Sequence, residues 1–349
     1  MPDNINLPRF SVLSGDNSLP YAEAPSGAAA LAAPADLAAQ PAFSRVFQPG
    51  RVTLGLMVPF KGYPDGPEPD IADMGELAQR AEELGFAALW VRDVPFLEPA
   101  FGDVGQGLDA MVTLGLLAAH TQRIALGTAG LIAPLRLPAH IAKAAASVDR
   151  LTRGRFLLGL CSGDRPLEYQ AFGAKFERRA EVFRENWRVV KALLGQSFPR
   201  VESKFYGQLD GTLDTVPKPC GRVPMVTIGR ARQELSWLAQ ESDAWIWHGV
   251  NPEDTGRIVQ TLAALGDGKT WRPFGYANFI ELDENPDAPM QMFNNIYLRG
   301  GSRNMARFWQ QQGKQGLAHV IVNLKPTRRP ALEALRDLAH HALPILAQD

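Results

Sequence analysis

The sequence predicts an α/β fold, a (β/α)8 TIM barrel with loop insertions and a flexible N-terminal arm. Two observations lead to this fold class. From residue 51 onward, short apolar runs alternate eight times with segments whose apolar residues are spaced three or four apart. Small, charged and aromatic residues also gather directly after the apolar runs, where a barrel carries its functional loops. An open doubly wound sheet shows the same alternation, but eight units of this size favour closure into a barrel.

Each strand is predicted from a run of β-branched and aliphatic residues, and each helix from an apolar stripe. The helix over 176–194 has the clearest stripe, and Gly85 marks the end of the first helix. We expect strands at residues 52–58, 86–91, 124–128, 156–160, 223–228, 244–247, 274–282 and 319–323. We expect helices at residues 71–84, 111–118, 141–151, 176–194, 233–240, 255–265, 302–312 and 330–346.

Two stretches interrupt the alternation and are expected to be insertions, near 196–222 and 284–301. The first is rich in glycine and proline, and short apolar segments at 204–206 and 213–216 indicate a small hairpin within it. Both insertions are longer loops, and we expect them to shape a substrate pocket.

The first 50 residues differ in composition from the rest, with seven prolines and eleven alanines. The interrupted alanine stretch does not fit a secretory signal, and the acidic residues argue against a transit peptide. We divide the chain into a flexible Ala/Pro-rich arm, residues 1–50, and a barrel domain, residues 51–349. Phe43, Val46 and Phe47 are expected to hold the end of the arm on the domain.

Composition excludes several classes of protein. The 36 Lys and Arg residues nearly balance the 37 Asp and Glu residues, so no global field attracts nucleic acid or an anionic membrane. The two cysteines, Cys161 and Cys220, rule out a disulfide scaffold and a CxxC-type zinc site. The six histidines form no HxH or HExxH pair, so no metal site is predicted. No apolar run approaches the roughly 18 residues that span a membrane, and we expect a cytoplasmic protein.

Familiar phosphate and nucleophile motifs are missing. No G-x-G-x-x-G joins a predicted strand to a helix, and no G-x-S-x-G is present. The segment 266–270 resembles the end of a phosphate loop, but Ala263 stands where a glycine is needed and no helix follows. We interpret this segment as a solvated turn.

The candidate site residues lie at the carboxyl ends of the predicted strands. They are Arg92 and Asp93, Ala129 and Gly130, Cys161, Ser162, Gly163 and Asp164, Gly229, Arg230 and Ala231, and His248. Small residues beside charged ones suit a flat, phosphorylated ligand, because backbone N–H groups and an arginine bind phosphate. Simpler explanations stay open: an exposed ion pair of Arg92 with Asp93, a solvated Arg230, and a small buried hydrophobe at Cys161.

In its long ordered motifs the chain resembles the luciferase-like monooxygenase family, the flavin-dependent oxidoreductases related to bacterial luciferase. The resemblance extends from about residue 52 to 344 and is closer to a non-luminescent oxidoreductase subgroup than to the light-emitting enzymes. The segments that carry it are 126–130, 134–138, 142–143, 147–156, 159–163, 168–173, 227–231 and 242–246.

The resemblance implies that reduced FMN lies across the barrel mouth, with its phosphate on residues 162–164 and 229–231. It also implies a non-proline cis peptide at Ala129–Gly130 beneath the flavin ring, and a place for Cys161 beside the flavin. Small side chains suit the Ala129–Gly130 position, because a bulky side chain there would block the flavin ring.

One residue departs from the light-emitting enzymes, which carry a catalytic histidine where this chain has Val94. The candidates for a catalytic group are then Asp93, Arg92 and His248. No one of them is favoured by the sequence over the others.

The resemblance implies an FMN-dependent flavoprotein, a monooxygenase that uses reduced FMN and oxygen on a small organic substrate. A separate flavin reductase is expected to supply the reduced flavin, and a homodimer is expected from the family. Phe60, Phe96, Phe101 and Trp247 are expected to shield the site from water, and Arg299 is a candidate for an anionic group. Two alternatives stay open: a hydride-transfer enzyme that uses a deazaflavin, and a catalytically idle barrel that only binds flavin or a partner.

Overall fold

The computed structural model describes residues 31–61, 67–101 and 107–348, and its centre is a closed barrel of eight parallel strands. We number them in chain order: β1 Thr53–Val58, β2 Ala88–Val91, β3 Ala125–Thr128, β4 Phe156–Cys161, β5 Met225–Ile228, β6 Ala244–His248, β7 Phe274–Leu282 and β8 Leu317–Asn323. Each strand pairs in parallel with the next, and β8 pairs with β1 from Thr53↔His319 to Leu56↔Val322. This last pairing closes the ring, so the predicted barrel is confirmed and the open sheet is excluded.

Helices surround the barrel and connect its strands in the expected order. The main helices are Met74–Glu83, Ala110–His120, Pro138–Thr152, Arg179–Gly195, Leu235–Glu241, Thr255–Leu265, Ser302–Gly313, Ala331–His341 and Leu343–Leu346. Shorter helical segments are Pro99–Phe101, Ala133–Leu135, Pro166–Ala171, Phe176–Arg178 and Pro252–Asp254. Within the part of the chain that the structure describes, no helix has the length and apolarity needed to cross a membrane.

The first insertion contains an antiparallel hairpin of Arg200–Ser203 with Gly207–Asp210. The hairpin itself was expected, but its strands were expected at 204–206 and 213–216, and that placement was wrong. Residues 204–206 form the turn instead, because Val201 and Ser203 alternate as the buried face of the first strand.

In the second insertion, Gln291–Phe293 pairs with Tyr297–Gly300, which runs parallel beside the end of β7. A further short strand, Leu131–Ile132, pairs with the end of β4, beyond the residues at which β3 pairs with β4. Both additions lie at the carboxyl ends of barrel strands, the side on which a barrel carries its site.

Trp90 fills the interior of the barrel. Its indole fits because its neighbours on β1 and β3 are glycines: a Cβ on Gly55 would lie 2.6 Å from Trp90 Nε1, and one on Gly127 would lie 2.5 Å from Cζ3. Trp90 Nε1 donates a hydrogen bond to His319 Nε2 at 3.0 Å. These contacts identify the inward-facing residues of four strands. Because strand residues alternate between faces, Arg92 faces inward at the carboxyl end of β2.

Two short helices, Ala35–Ala38 and Pro41–Val46, close the amino-terminal end of the barrel. Phe43, Val46 and Phe47 are buried in one cluster with inward-facing side chains of the strands. The described part of the predicted arm is therefore packed onto the barrel, and these three residues hold it there as expected. Residues 1–30, the rest of that predicted arm, lie outside the described residues.

Candidate active site

Cys161 and His248 lie on the floor of a concave mouth at the carboxyl ends of β4 and β6. Cys161 is half-buried and His248 is exposed, so solvent reaches both side chains. The Cys161 thiol donates to the carbonyl of Gly130 at 3.2 Å. Burial raises the pKa of this thiol well above its usual range. Cys161 therefore lines the mouth as a neutral thiol and is no nucleophile at neutral pH.

Ala129 and Gly130 form a bulge between β3 and the short strand that follows it. The peptide bond between them is cis, as the family resemblance led us to expect. The Thr128 hydroxyl donates to the Gly159 carbonyl at 2.7 Å and accepts from the Gly159 N–H at 2.9 Å, so it replaces the missing ladder bonds. A Cβ on Gly130 would lie 2.7 Å from Ile228 Cγ1. The bulge is thus pressed between β4 and β5, and the small Ala129 methyl group is left toward the mouth.

The imidazole of His248 is the acid–base group that the structure places on this floor. Desolvation lowers its pKa; the Asp164 carboxylate acts in the opposite direction, and the Arg92 guanidinium adds to the lowering. The net effect is a pKa below the usual value, so the ring is neutral near pH 7 and able to accept a proton. Three residues that the sequence analysis selected separately therefore influence one another here. Asp164 has no hydrogen-bond partner among the described residues.

Asp93 was expected to be a catalytic group, and in the structure its carboxylate is bound by Arg136. Arg136 donates to both of its carboxylate oxygens, from Nε at 3.0 Å and from Nη2 at 2.7 Å. The Ile132 N–H donates a third hydrogen bond at 3.0 Å. These bonds occupy the carboxylate and fasten the segment after the β3 bulge. The geometry therefore gives Asp93 a positioning role in place of that of a general base.

The loop after β5 has the geometry of an anion site. Gly229, Ala231 and Arg232 all have positive φ, at 65°, 46° and 59°. The Gln233 side chain holds the loop by donating to the Ala231 carbonyl at 2.9 Å. The three successive N–H groups of residues 230–232 donate no hydrogen bond to any described residue. Such consecutive free N–H groups in a loop with left-handed residues form a concavity that binds anions.

Two arginines near this loop were missed by the sequence analysis. Arg179 is only 7% exposed, and its Nε has no hydrogen-bond partner among the described residues. Desolvation lowers its pKa, and the nearby Arg232 guanidinium lowers it further. The two guanidinium groups repel each other, and an anion bound near them would relieve this repulsion. The apolar spacing of the predicted helix over 176–194 places Arg179 near its buried side. Arg178 lies next to it and is also an arginine, so the sequence alone does not show which of the two is buried.

The loop after β4 is fixed by the helix that follows it. Ser162 is buried, and its carbonyl accepts a hydrogen bond from the Tyr169 hydroxyl. Gly163 has φ 67°, and a Cβ there would lie 2.8 Å from Ile132. Gly163 is therefore required by its positive φ and by Ile132, which packs against it, and the approach of a ligand to the Ser-Gly pair stays a prediction. The Ser162 hydroxyl makes only a long bond of 3.5 Å to a neighbouring carbonyl.

Glu168 is a second titratable group that the sequence analysis missed. It is 3% exposed, and its Oε1 lies 3.8 Å from Arg165 Nη1. Burial raises the pKa of Glu168 to about 7, although Arg165 acts to lower it. Near neutral pH this carboxyl is close to half protonated, next to the loop that carries Asp164.

Two further expectations are corrected by the contacts. Trp247 packs outward, stacked on Trp245 at 5.3 Å between ring centres, so it does not shield the mouth. Arg299 donates twice to Glu281 Oε2, at 2.9 and 2.7 Å, and is therefore engaged in an ion pair.

The segment 266–270 is a turn in which Asp267 accepts from Thr270, as predicted.

Comparison with known proteins identifies relatives of this chain. The F420-dependent glucose-6-phosphate dehydrogenase of Kineococcus radiotolerans is 34% identical over 177 residues, which cover 50% of this chain and 51% of that protein. The matched part thus spans about half the length of this curated relative.

Solved structures share the fold at low identity. An F420-dependent secondary alcohol dehydrogenase, in complex with an F420–acetone adduct, superposes with a TM-score of 0.68 at 16% identity, over 85% of this chain and 100% of that chain. A monooxygenase from Streptomyces bottropensis superposes with a TM-score of 0.68 at 18% identity, again over 85% and 100%. The family model described as luciferase-like monooxygenase matches residues 46–342, nearly the whole barrel. The chain therefore belongs to the luciferase-like monooxygenase family of oxidoreductases.

Proposed function

We propose that this protein is an oxidoreductase that binds the deazaflavin coenzyme F420 at the barrel mouth and exchanges a hydride between it and a small organic substrate. The observation that carries the proposal is the row of free N–H groups at residues 230–232 beside the buried Arg179. Such a row suits the phosphate of a cofactor whose ring lies over the small residues of the β3 bulge. The dehydrogenase relative is F420-dependent, which favours the deazaflavin over the FMN expected from the sequence.

The residues present fit a phosphate-bearing cofactor. Arg179 Nε is buried without a partner, a costly state that an anionic acceptor would relieve. Nothing lies within 4 Å of the Cβ position of Gly229, so there is open space beside the start of the loop. Arg179, Arg232 and the N–H groups of residues 230–232 would hold the phosphate. The β3 bulge and Cys161 would lie under the ring.

When bound, the deazaflavin supplies a ring carbon that accepts or gives a hydride. The proton that accompanies the hydride needs a separate group, and His248 suits this role because its imidazole is neutral near pH 7. His248 would take a proton from a substrate O–H or N–H during oxidation and return it during reduction. Asp164 stabilises the protonated ring, and Arg92 opposes it. Together they set how readily His248 gives the proton up.

FMN is the second candidate cofactor, and with it the monooxygenase activity supported by a separate reductase that the sequence resemblance implied. Its phosphate has the same chemistry, so the N–H row by itself does not separate the two. The sequence relative favours F420, because that protein is an F420-dependent dehydrogenase and is 34% identical over the matched half. Its substrate does not carry over, since only half of that protein is matched.

Anaerobic fluorescence titration of the purified protein tests the proposal, with oxidised and reduced F420 and with oxidised and reduced FMN. We expect saturable binding of F420 at micromolar concentration or tighter, and weaker binding of FMN. Arg179→Gln should weaken F420 binding about tenfold or more, because it removes a buried charged donor. The matched control is Arg178→Gln, next in the chain, whose guanidinium is already paired with Glu181.

Each of the other outcomes would contradict a part of the proposal. Preferential binding of reduced FMN would reject the deazaflavin and restore the monooxygenase. If no flavin or deazaflavin bound, the barrel would be catalytically idle in the sense left open by the sequence. Equal effects of the two arginine substitutions would remove the phosphate site from the loop after β5.

A further inference from the structure

Strand β7 continues beyond the ring of the barrel at its carboxyl end. Its last partner on β6 is His248, which lies opposite Ala277. Further along, from Phe279 to Leu282, β7 pairs in parallel with the strand Tyr297–Gly300 of the second insertion. The extension therefore forms one side wall of the mouth above His248.

The pairing register shows which side chains of this extension face the mouth. Ala277 packs with the interior of the barrel, so alternation places Phe279 and Glu281 on the same side of the strand. Tyr297 and Arg299 lie opposite Phe279 and Glu281 and share their face. The residues between them are buried in the core behind the sheet: Ile280, Leu282 and Leu298. With Phe293, which lies opposite Tyr297, the mouth-facing residues form what we call the β7 wall: Phe279, Glu281, Phe293, Tyr297 and Arg299.

The Glu281 carboxylate receives all of its hydrogen bonds within the wall on one oxygen. Arg299 donates to Oε2 from Nε and Nη2 at 2.9 and 2.7 Å, and the Tyr297 hydroxyl donates to the same oxygen. Tyr297 is buried, and burial and the neighbouring Glu281 raise its pKa to about 12, so the hydroxyl stays a donor at neutral pH. Glu281 Oε1 accepts no hydrogen bond from any residue that the structure describes. The carboxylate is thus fixed in orientation with one acceptor oxygen left for a ligand.

The charges of the wall cancel each other. Arg299 and Glu281 neutralise one another, and both side chains are 31% exposed, so a ligand in the mouth can reach the pair. An anionic group would meet the Glu281 carboxylate while the guanidinium is already engaged, which is unfavourable. A neutral hydroxyl can donate to Oε1 without bringing a further charge into the mouth. The electrostatics of the wall therefore favour a neutral hydrogen-bond donor over an anion.

An aromatic side chain separates this acceptor from the proton-transfer group. Glu281 lies four residues beyond Ala277, the neighbour of His248, which corresponds to roughly 13 Å along an extended strand. Phe279 lies halfway along this span and is half-buried. A ligand that reached from His248 to Glu281 would therefore place an apolar middle against Phe279.

We infer that the β7 wall binds the far end of an elongated, neutral substrate that carries a hydroxyl group remote from its reacting carbon. The reacting group lies at His248, the apolar middle packs on Phe279, and the remote hydroxyl donates to Glu281 Oε1. The inference rests on the proposed function, which assigns β3, β4 and β5 to the cofactor and leaves the β7 side of the mouth to the substrate.

Calorimetric titration with a matched set of ligands tests the wall, with F420-saturated protein and with cofactor-free protein. The ligands are octanol, which is long enough to cover most of the span, and three derivatives with a hydroxyl, a carboxylate or an amine on the last carbon. We expect the diol to bind about tenfold more tightly than octanol, because it gains a hydrogen bond to a charged acceptor. The carboxylate derivative should bind no better than octanol.

Glu281→Gln gives a readout that general loosening of the wall would not produce. The substitution leaves the Arg299 guanidinium without its counter-charge, so we expect the order to reverse, with the carboxylate derivative binding more tightly than the diol. A loosened wall would weaken all four ligands without reversing their order. The matched control is Glu83→Gln, which removes a carboxylate from an exposed ion pair with Arg80 on the helix Met74–Glu83 and should keep the wild-type order.

Several outcomes would overturn the inference. Equal affinity of the wild type for octanol and the diol would do so, as would the absence of binding by all four ligands. Tightest binding of the amine or of the carboxylate derivative would assign a charged substrate to the wall. An unchanged order in Glu281→Gln would place the hydroxyl on another residue. If F420 failed to bind while the cofactor-free protein kept its preference for the diol, the proposed function would fail and the ligand site on the wall would stand.

Discussion

His248 is the residue that we propose for proton transfer, and its neighbours set its pKa. Its pKa is lowered by desolvation and by Arg92, and Asp164 opposes both. We predict that Arg92→Gln raises the pKa of His248 and that Asp164→Asn lowers it further. NMR titration of the histidine ring signals measures this without a known substrate, and His248→Gln assigns the signal among the six histidines.

The two substitutions should move the pKa in opposite directions, which a general loosening of the fold would not do. Asp109→Asn is a suitable control, because it removes a carboxylate charge that does not act on the pKa of His248. A His248 signal that titrates near 6.5 and is indifferent to both substitutions would contradict the proton-transfer role.

His319 is a second histidine with a perturbed pKa, and its effect falls on stability. The Thr53 hydroxyl donates to the Val46 carbonyl at 2.5 Å and therefore accepts from His319 Nδ1, 2.7 Å away. Since Nε2 accepts from Trp90, the ring is neutral with its proton on Nδ1. Burial lowers the pKa of His319 to about 3. A second ring proton would face the indole N–H, a donor against a donor.

Below about pH 6.5 the unfolded state gains a proton on this ring and the folded state does not, so stability falls as the pH falls. We predict that the difference in unfolding free energy between wild type and His319→Gln shrinks by about 2 kcal/mol from pH 6.5 to pH 4.5. Urea unfolding at several pH values measures it. A difference that stays constant over this interval would show that the folded ring titrates normally.

Single residues differ in how far the sequence could predict them. Cys161, His248 and Ala129 follow apolar strands, and the alternation of strand residues places them on the mouth. Asp93 was assigned a different role because its partner Arg136 lies 43 positions away and no local pattern links them. Arg179 was missed for a related reason, since its burial depends on the loop after β5, which is far away in the chain.

At the scale of elements, the bulge after β3 depends on one hydroxyl. Thr128 is fully buried, and its Oγ1 pairs with both the N–H and the carbonyl of Gly159. We predict that Thr128→Val, which keeps the shape, lowers the unfolding free energy by about 2–4 kcal/mol, because two backbone groups lose their partner. Thr128→Ser keeps the hydroxyl and should cost only about 1 kcal/mol. Chemical denaturation compares them, and equal losses for the two variants would contradict the role of the hydroxyl.

The barrel elements were predictable because each carries its own periodic pattern. The strands agree with the expected ranges to within about two residues, and a cluster of glycines and prolines correctly marked the first insertion. The helices at residues 35–46 were not expected, since their alanines and prolines suggest a loose segment. Their stability comes from burial against the barrel interior and from Gln40, whose side chain accepts from Phe43 N and donates to the distant Gly154 carbonyl. Contacts of that range leave no local signature.

At the scale of the whole molecule, the helix Ala110–His120 exposes apolar side chains on its outer face. Before its terminal His120 the helix has no charged residue, and a helix that is apolar all round is normally buried. Its outer face is nevertheless open: Val112 is 68% exposed, Leu116 is 39% exposed, and Leu108 one turn before is 39% exposed. Val112 and Leu116 are four positions apart and share one helical face, and Leu108 lies just before the helix. We propose that this face joins two copies of the chain in the homodimer expected from the family resemblance.

The proposal predicts a dimer by light scattering coupled to size-exclusion chromatography, and a monomer for Val112→Glu with Leu116→Lys. Buried charges at the centre of an interface are costly, so the double variant should weaken association at least a hundredfold. Leu213→Glu is the matched control, since Leu213 is 67% exposed on the first insertion and should not affect assembly. Circular dichroism of the monomeric variant should show an intact barrel, because neither side chain is part of the core. A wild type that stays monomeric at 50 µM, roughly the range of a weak dimer, would leave this apolar face without the partner proposed for it.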